Sequence, residues 1–125
     1  SAIYRLDNQE TAEFSKAEQL WDYLYVKDAV RALYLIADCG KDGAIYPIGS
    51  GTTRPLKEYI FAIWDKMHRK GQISLGAIPY VKNQVMYLCA DISTLTKDTG
   101  FTPEYTFEEG IEETIKWYQD NKKNL

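Results

Sequence analysis

The sequence predicts a small α/β domain with three main helices and a few short strands. Three features carry that reading. Apolar residues recur at helical spacing in three separate segments, short β-favouring runs lie between them, and glycine or proline marks most of the joins. At 125 residues the chain is long enough for one domain around one core. Its 45% apolar and 26% charged content is that of a folded protein and not of a disordered tail.

The elements follow in order. Residues 11–15 (TAEFS) and 22–26 (DYLYV) are β-favouring and short enough to be strands. Asp28 then offers a carboxylate to cap the free N–H groups of a following helix. Val30, Leu33, Tyr34 and Ala37 mark the apolar face of that helix, and Gly40 and Gly43 end it. Next comes AIYPIGSG, residues 44–51, read as a short strand running into a Gly-Ser-Gly loop. Pro47 lacks an N–H, so this strand belongs at a sheet edge or pairs on one side only.

Pro55 suits the first turn of a second helix. Its stripe is Leu56, Ile60, Ile63, Trp64 and Met67, closed by Gly71. SLGAIPY (74–80) reads as another short strand, and residues 90–101 as a brief helix begun by Asp91 and stopped by Gly100. The last helix opens on Thr106 and Glu109, a capping-box spacing, with Phe107, Ile111, Ile115 and Tyr118 on its buried face. There is no internal repeat, low-complexity stretch or interior linker. One strand is left over. IYPIG has no partner of matching length in the chain, although an edge strand needs a sheet.

Charge and cysteine usage exclude several functions. With a net charge of −3 and scattered basic residues, the chain has no track for nucleic-acid phosphates, and Lys122-Lys123 is too short to make one. No apolar run approaches the length of a membrane span, and the N-terminus has no signal-peptide pattern. Ser1-Ala2, of the kind that tag cleavage leaves behind, is set aside. Cys39 and Cys89 lie far apart and His68 is the single histidine, which argues against zinc. We read both cysteines as reduced, buried thiols of a cytoplasmic protein.

Three blocks carry a resemblance: WDYLYVKDAVRAL, then YPIGSG followed by PLKEY, then IPY and the run from QVMYLCADISTL to the final helix. In order and spacing they resemble the C-terminal portion of extended short-chain dehydrogenases/reductases, the NAD-dependent nucleotide-sugar epimerases and dehydratases. The likeness runs from about residue 9 to residue 119. It implies that residues 3–125 form a C-terminal substrate-binding domain whose N-terminal dinucleotide-binding domain is absent. It also implies that the strand around Tyr46 is an outer strand of a Rossmann sheet. NAD or NADP would then be bound by the intact parent and not by this fragment. Gly49-Ser50-Gly51 lacks the spacing of a dinucleotide loop. Tyr23 and Lys27 have the spacing of a catalytic Tyr-x-x-x-Lys pair, but they lie inside the D-[FY]-x-x-V-x-D block, where the family keeps no base.

The family grips the pyrophosphate of its substrate with arginines, whose planar forks match phosphate oxygens. By the resemblance one such place is Trp21, and the other falls at Tyr80 and Val81. The substrate-binding candidates are therefore Gln19, Trp21, Arg54, Tyr80 and Lys82, with no catalytic or metal residue expected. Trp21 would replace electrostatic grip by stacking, and Gln19 matches a glutamine of the family's substrate loop. Arg54 follows a glycine-rich turn and precedes a helix, a setting for phosphate. Each has a plainer reading, as a core anchor, a loop residue or a solvated side chain. Two functions are left open: the substrate lobe of an epimerase or dehydratase, which would hold a nucleoside-diphosphate sugar, or a non-catalytic sensor that keeps the fold. The expected partners are the chain's own N-terminal Rossmann domain and a second copy, with neither nucleic acid nor membrane involved.

Overall fold

The computed structural model describes residues 1–124. The expected domain, 3–125, ends at Leu125, outside the described residues. The elements run α1 (Ala2–Asp7), β1 (Thr11–Glu13), β2 (Leu20–Trp21), α2 (Val26–Cys39), β3 (Arg54–Pro55), α3 (Leu56–Lys66), β4 (Gln72–Ser74), β5 (Tyr87–Leu88), α4 (Ser93–Thr99) and α5 (Phe107–Asn121). The α/β class with three main helices is what the structure shows: α2, α3 and α5 are the long elements, and every strand is short.

The strands form two small sheets. β1 and β4 pair in parallel, Thr11 opposite Gln72. β2 is the centre of the other sheet, antiparallel to β3 and parallel to β5, so that Trp21 faces Arg54 on one side and Leu88 on the other. Two apolar clusters make the core. Leu6, Ala12, Met67 and Ile115 join α1, β1, α3 and α5, while Ala32, Leu95 and Phe101 join α2 to α4 and the loop after it.

Several local readings hold. Thr106 and Glu109 form a reciprocal capping box at α5, and Gly100 closes α4 with a left-handed φ of 73°. The carboxylate of Asp91 accepts from the N–H of Ser93 at the start of α4. Ile60 and Met67 are buried, with Ile63 and Trp64 packed beside them, as the α3 stripe requires.

Others need correction. Residues 22–26 are not a strand: β2 is Leu20–Trp21, and pairing stops there because β5 is only two residues long and β3 runs straight into α3. Segment 74–80 is a strand only up to Ser74. α1 and β5 are too short to show a period in sequence. Pro55 stands at the N-cap of α3, one place before its first turn, and α3 is already capped at Met67 rather than at Gly71.

The largest reversal concerns α2. Val30, Leu33 and Tyr34 are 59%, 58% and 68% exposed, whereas Asp28 and Ala32 are fully buried and Leu35 and Ile36 pack on the core. The helix is apolar on two sides, and spacing cannot say which one finds a cover. Nor are the cysteines buried. Cys39 is exposed and Cys89 half-exposed, both as free thiols.

Segment 44–48 has a strand's alternation without a strand's pairing. Ile45 is 88% exposed, while Tyr46 and Ile48 turn inward against the α2–α4 cluster. Among the described residues no backbone hydrogen bond involves residues 45–48. Backbone groups left open in this way call for a partner strand.

Candidate functional site

The Trp21 face is built from β2 outward. β2 brings Trp21 beside Arg54, and antiparallel partners directly opposite one another project to the same side of a sheet. The indole N–H of Trp21 donates to the carbonyl of Val85 at 3.0 Å, which fastens the loop before β5. Tyr80, at the other end of that loop, accepts from the N–H of Glu18 through its hydroxyl at 3.1 Å. Between them Gln19 is 3% exposed, and its Oε1 has no hydrogen-bond partner among the described residues. Gln19, Trp21 and Tyr80 therefore converge on β2 and the loop that crosses it. Lys82 is exposed on the same loop and is in no ion pair among the described residues.

Arg54 is differently placed. Its guanidinium meets Glu108 at 2.8 Å and Glu58 at 3.7 Å, and lies over the rings of Tyr59 at 4.8 Å and Phe107 at 5.7 Å. Glu108 in turn is held below the usual carboxylate range, chiefly by its hydrogen bond from Arg54. Two carboxylates thus neutralise this arginine, and any phosphate reaching it has to compete with Glu108. Arg54, Tyr59 and Glu108, with Tyr23, Ser50 and Thr52, line a cavity of about 330 Å³.

The aromatic run that precedes α2 is distributed around this region. Tyr23 meets Tyr59 edge-on at 4.9 Å, and Tyr59 meets Phe107 at 4.6 Å. Burial pushes the Tyr23 and Tyr59 hydroxyls up, against the pull of Arg54 in the case of Tyr59, whose O–H donates to the Trp21 carbonyl at 2.8 Å. Lys27 points elsewhere, to Glu113, so Tyr23 and Lys27 are not a working pair.

Two carboxylates organise the walls, and the sequence reading gave neither this part. Asp28 does not cap α2. It is fully buried and accepts from Arg31 at 2.8 Å and from the N–H groups of Glu104 and Tyr105, fastening the loop before α5. Asp22 accepts from the N–H groups of Ser50, Gly51 and Ala90 and from the Ser50 hydroxyl. The D-[FY]-x-x-V-x-D spacing was the available signal, since it begins and ends on these residues. The Ser50 and Gly51 amides are therefore spent on Asp22, and Gly49-Ser50-Gly51 offers no cradle for a dinucleotide.

No family model matches the chain. It is 30% identical over 122 residues to a dTDP-glucose 4,6-dehydratase of Escherichia coli, covering 93% of this chain and 34% of the relative. A dTDP-glucose 4,6-dehydratase of Streptomyces niveus is 27% identical over 124 residues, again across 34% of its length. The chain thus spans about a third of the curated relatives it matches. Among solved structures, the dTDP-glucose 4,6-dehydratase of Streptomyces venezuelae with NAD and TYD bound superposes with a TM-score of 0.88 at 19% identity, over 99% of this chain and 38% of that one. A UDP-glucose 4-epimerase of Thermotoga maritima with UDP-glucose gives 0.87 at 21% identity, over 96% and 38%. By sequence and by fold together, the chain is related to the C-terminal portion of the extended short-chain dehydrogenases/reductases, the family of NAD-dependent nucleotide-sugar epimerases and dehydratases.

Proposed function

We propose that residues 3–125 are the substrate-binding lobe of an NAD- or NADP-dependent epimerase or dehydratase acting on a nucleoside-diphosphate sugar. The observation that carries this is segment 45–48, anchored through Tyr46 and Ile48 yet without a backbone hydrogen-bond partner among the described residues. A dinucleotide-binding domain N-terminal to this lobe supplies the missing strand and covers the outer face of α2. A cytoplasmic setting belongs to the same proposal and suits two free thiols.

The lobe's part is orientation and specificity; redox chemistry belongs to the cofactor and the other domain. The residues present do not fit a dinucleotide, because the Gly49-Ser50-Gly51 turn is closed on Asp22, so no step is routed through the cofactor here. Trp21 presents a ring at the ligand face, with Tyr80 and the buried Gln19 behind it and Lys82 at the rim. Arg54 stiffens the wall and does not hold phosphate while Glu108 keeps it.

The test is expression together with the upstream coding sequence, followed by titration with dTDP-glucose and UDP-glucose. Trp21→Ala weakens binding about tenfold or more if the ring stacks on the base; equal affinities remove the stacking role. A second reading, a binding module without catalysis, is favoured by the neutralised Arg54. Turnover of either sugar nucleotide with NAD eliminates that reading, and tight binding without turnover establishes it.

A further inference from the structure

We infer that Asp22 is the positioning residue of the Trp21 face: its single carboxylate locks β2, the Gly49–Gly51 turn and the exit of β5 into one unit. The inference rests on the proposed ligand face only for its functional consequence.

The geometry is specific. Oδ1 of Asp22 accepts from the Ser50 N–H at 2.8 Å and from its hydroxyl at 2.6 Å. Oδ2 accepts from the Gly51 N–H at 3.0 Å and the Ala90 N–H at 3.2 Å. Among the described residues Asp22 is in no ion pair, so these four donors are what offset its partial burial. All four are donors, which requires a carboxylate. A carboxamide would aim its own NH2 at one pair of them.

A second observation comes from the opposite side. A Cβ on Gly49 would stand 2.6 Å from Oδ2 of Asp22 and 2.5 Å from the Ala90 side chain. The turn is folded down on the carboxylate so closely that only glycine fits. The main chain completes the unit. The Asp22 N–H donates to the Leu88 carbonyl at 2.9 Å, and the neighbouring Trp21 indole holds Val85 upstream on the same stretch. Freeing Ala90 and the turn therefore loosens β5 and the carbonyl that aims the Trp21 ring. It also frees Ser50, which lines the Arg54 cavity. Segment 44–48 enters Gly49 with no intervening residue, so the docking edge and the ligand face meet at this one side chain.

The experiment uses the full chain with Trp64→Phe and Trp117→Phe, leaving Trp21 as its reporter. Asp22→Asn and Gly49→Ala are compared with the parent by amide hydrogen exchange and by acrylamide quenching. Exchange at Ser50, Gly51 and Ala90 is expected to quicken by about tenfold or more, with α3 and α5 unchanged. Trp21 becomes more accessible to the quencher. Unchanged exchange at these amides overturns the inference, as does an equal rise along the whole chain, which would mark a general structural role. Freed amides with unaltered Trp21 quenching also overturn it. Ser50→Ala, which removes one of the four bonds, shows the same pattern at smaller amplitude even if the harsher variants fail to fold. Failure of dTDP to bind the parent would remove the ligand reading without altering the exchange result.

Discussion

Asp28 shows how one carboxylate can be mistaken for another kind. Burial raises its pKa, but the Arg31 guanidinium and the amides of Tyr105 and Glu104 together outweigh that and hold it below the ordinary range. Such a group stabilises the fold fully above the ordinary carboxylate pKa. The contribution is lost as pH falls through the lower, folded value. Asp28→Asn should therefore cost about 2–3 kcal/mol at neutral pH, and the gap from the parent should narrow at an acid pH below the ordinary carboxylate range. Urea unfolding at both pH values checks this. In sequence Asp28 resembled a helix cap, because aspartate near a helix start usually is one. Besides Arg31 one turn on, its partners come from 76 and 77 residues away, and no local spacing reports those. Gln19, Trp21 and Tyr80 were legible as candidates. That Arg54 is neutralised by Glu108 was not.

Helix signals survive folding well where their partners are local. The Thr106–Glu109 box spans one turn of α5, and Thr106→Ala should cost about 1 kcal/mol in thermal or chemical unfolding. Gly110, four residues further on, is governed by a distant contact instead. A Cβ there would meet Cγ of Tyr25 at 2.8 Å and its Cβ at 2.9 Å, the rigid base of the ring rather than its free end. Gly110→Ala gains about 1 kcal/mol of helix propensity but forces overpacking worth about 1–3 kcal/mol. The net expectation is a lower unfolding midpoint; a higher one would show that Tyr25 moves aside freely. α2 carries the same lesson in reverse. Its apolar periodicity was visible, yet the face that sequence favoured faces outward, because α4 and Phe101 cover the other.

Across the whole molecule, the apolar features that lie open include the outer side of α2 and the unpaired segment with Ile45 at its tip. An open strand edge next to exposed apolar side chains favours association with a second copy when nothing else covers it. The isolated chain should therefore sediment as dimers or larger species at high concentration. Leu33→Lys combined with Ile45→Lys should shift it to monomer with little change in unfolding midpoint, since both side chains are already exposed. A clean monomer for the parent would count against this.

The three long helices, the Thr106–Glu109 capping box and the Gly100 turn were readable from residue order, because each depends on neighbours within a turn or two; the strand expected around Tyr46 keeps only a strand's alternation. The family likeness was readable too, carried by three blocks in a fixed order. Packing between distant segments settled the rest: which side of α2 is covered, why pairing stops at Trp21, where the carboxylates of Asp22 and Asp28 point, and what Arg54 is bound to. These outcomes turn on contacts between segments far apart in the chain, and the periodicity of a single segment contains no information about which distant surface will reach it first.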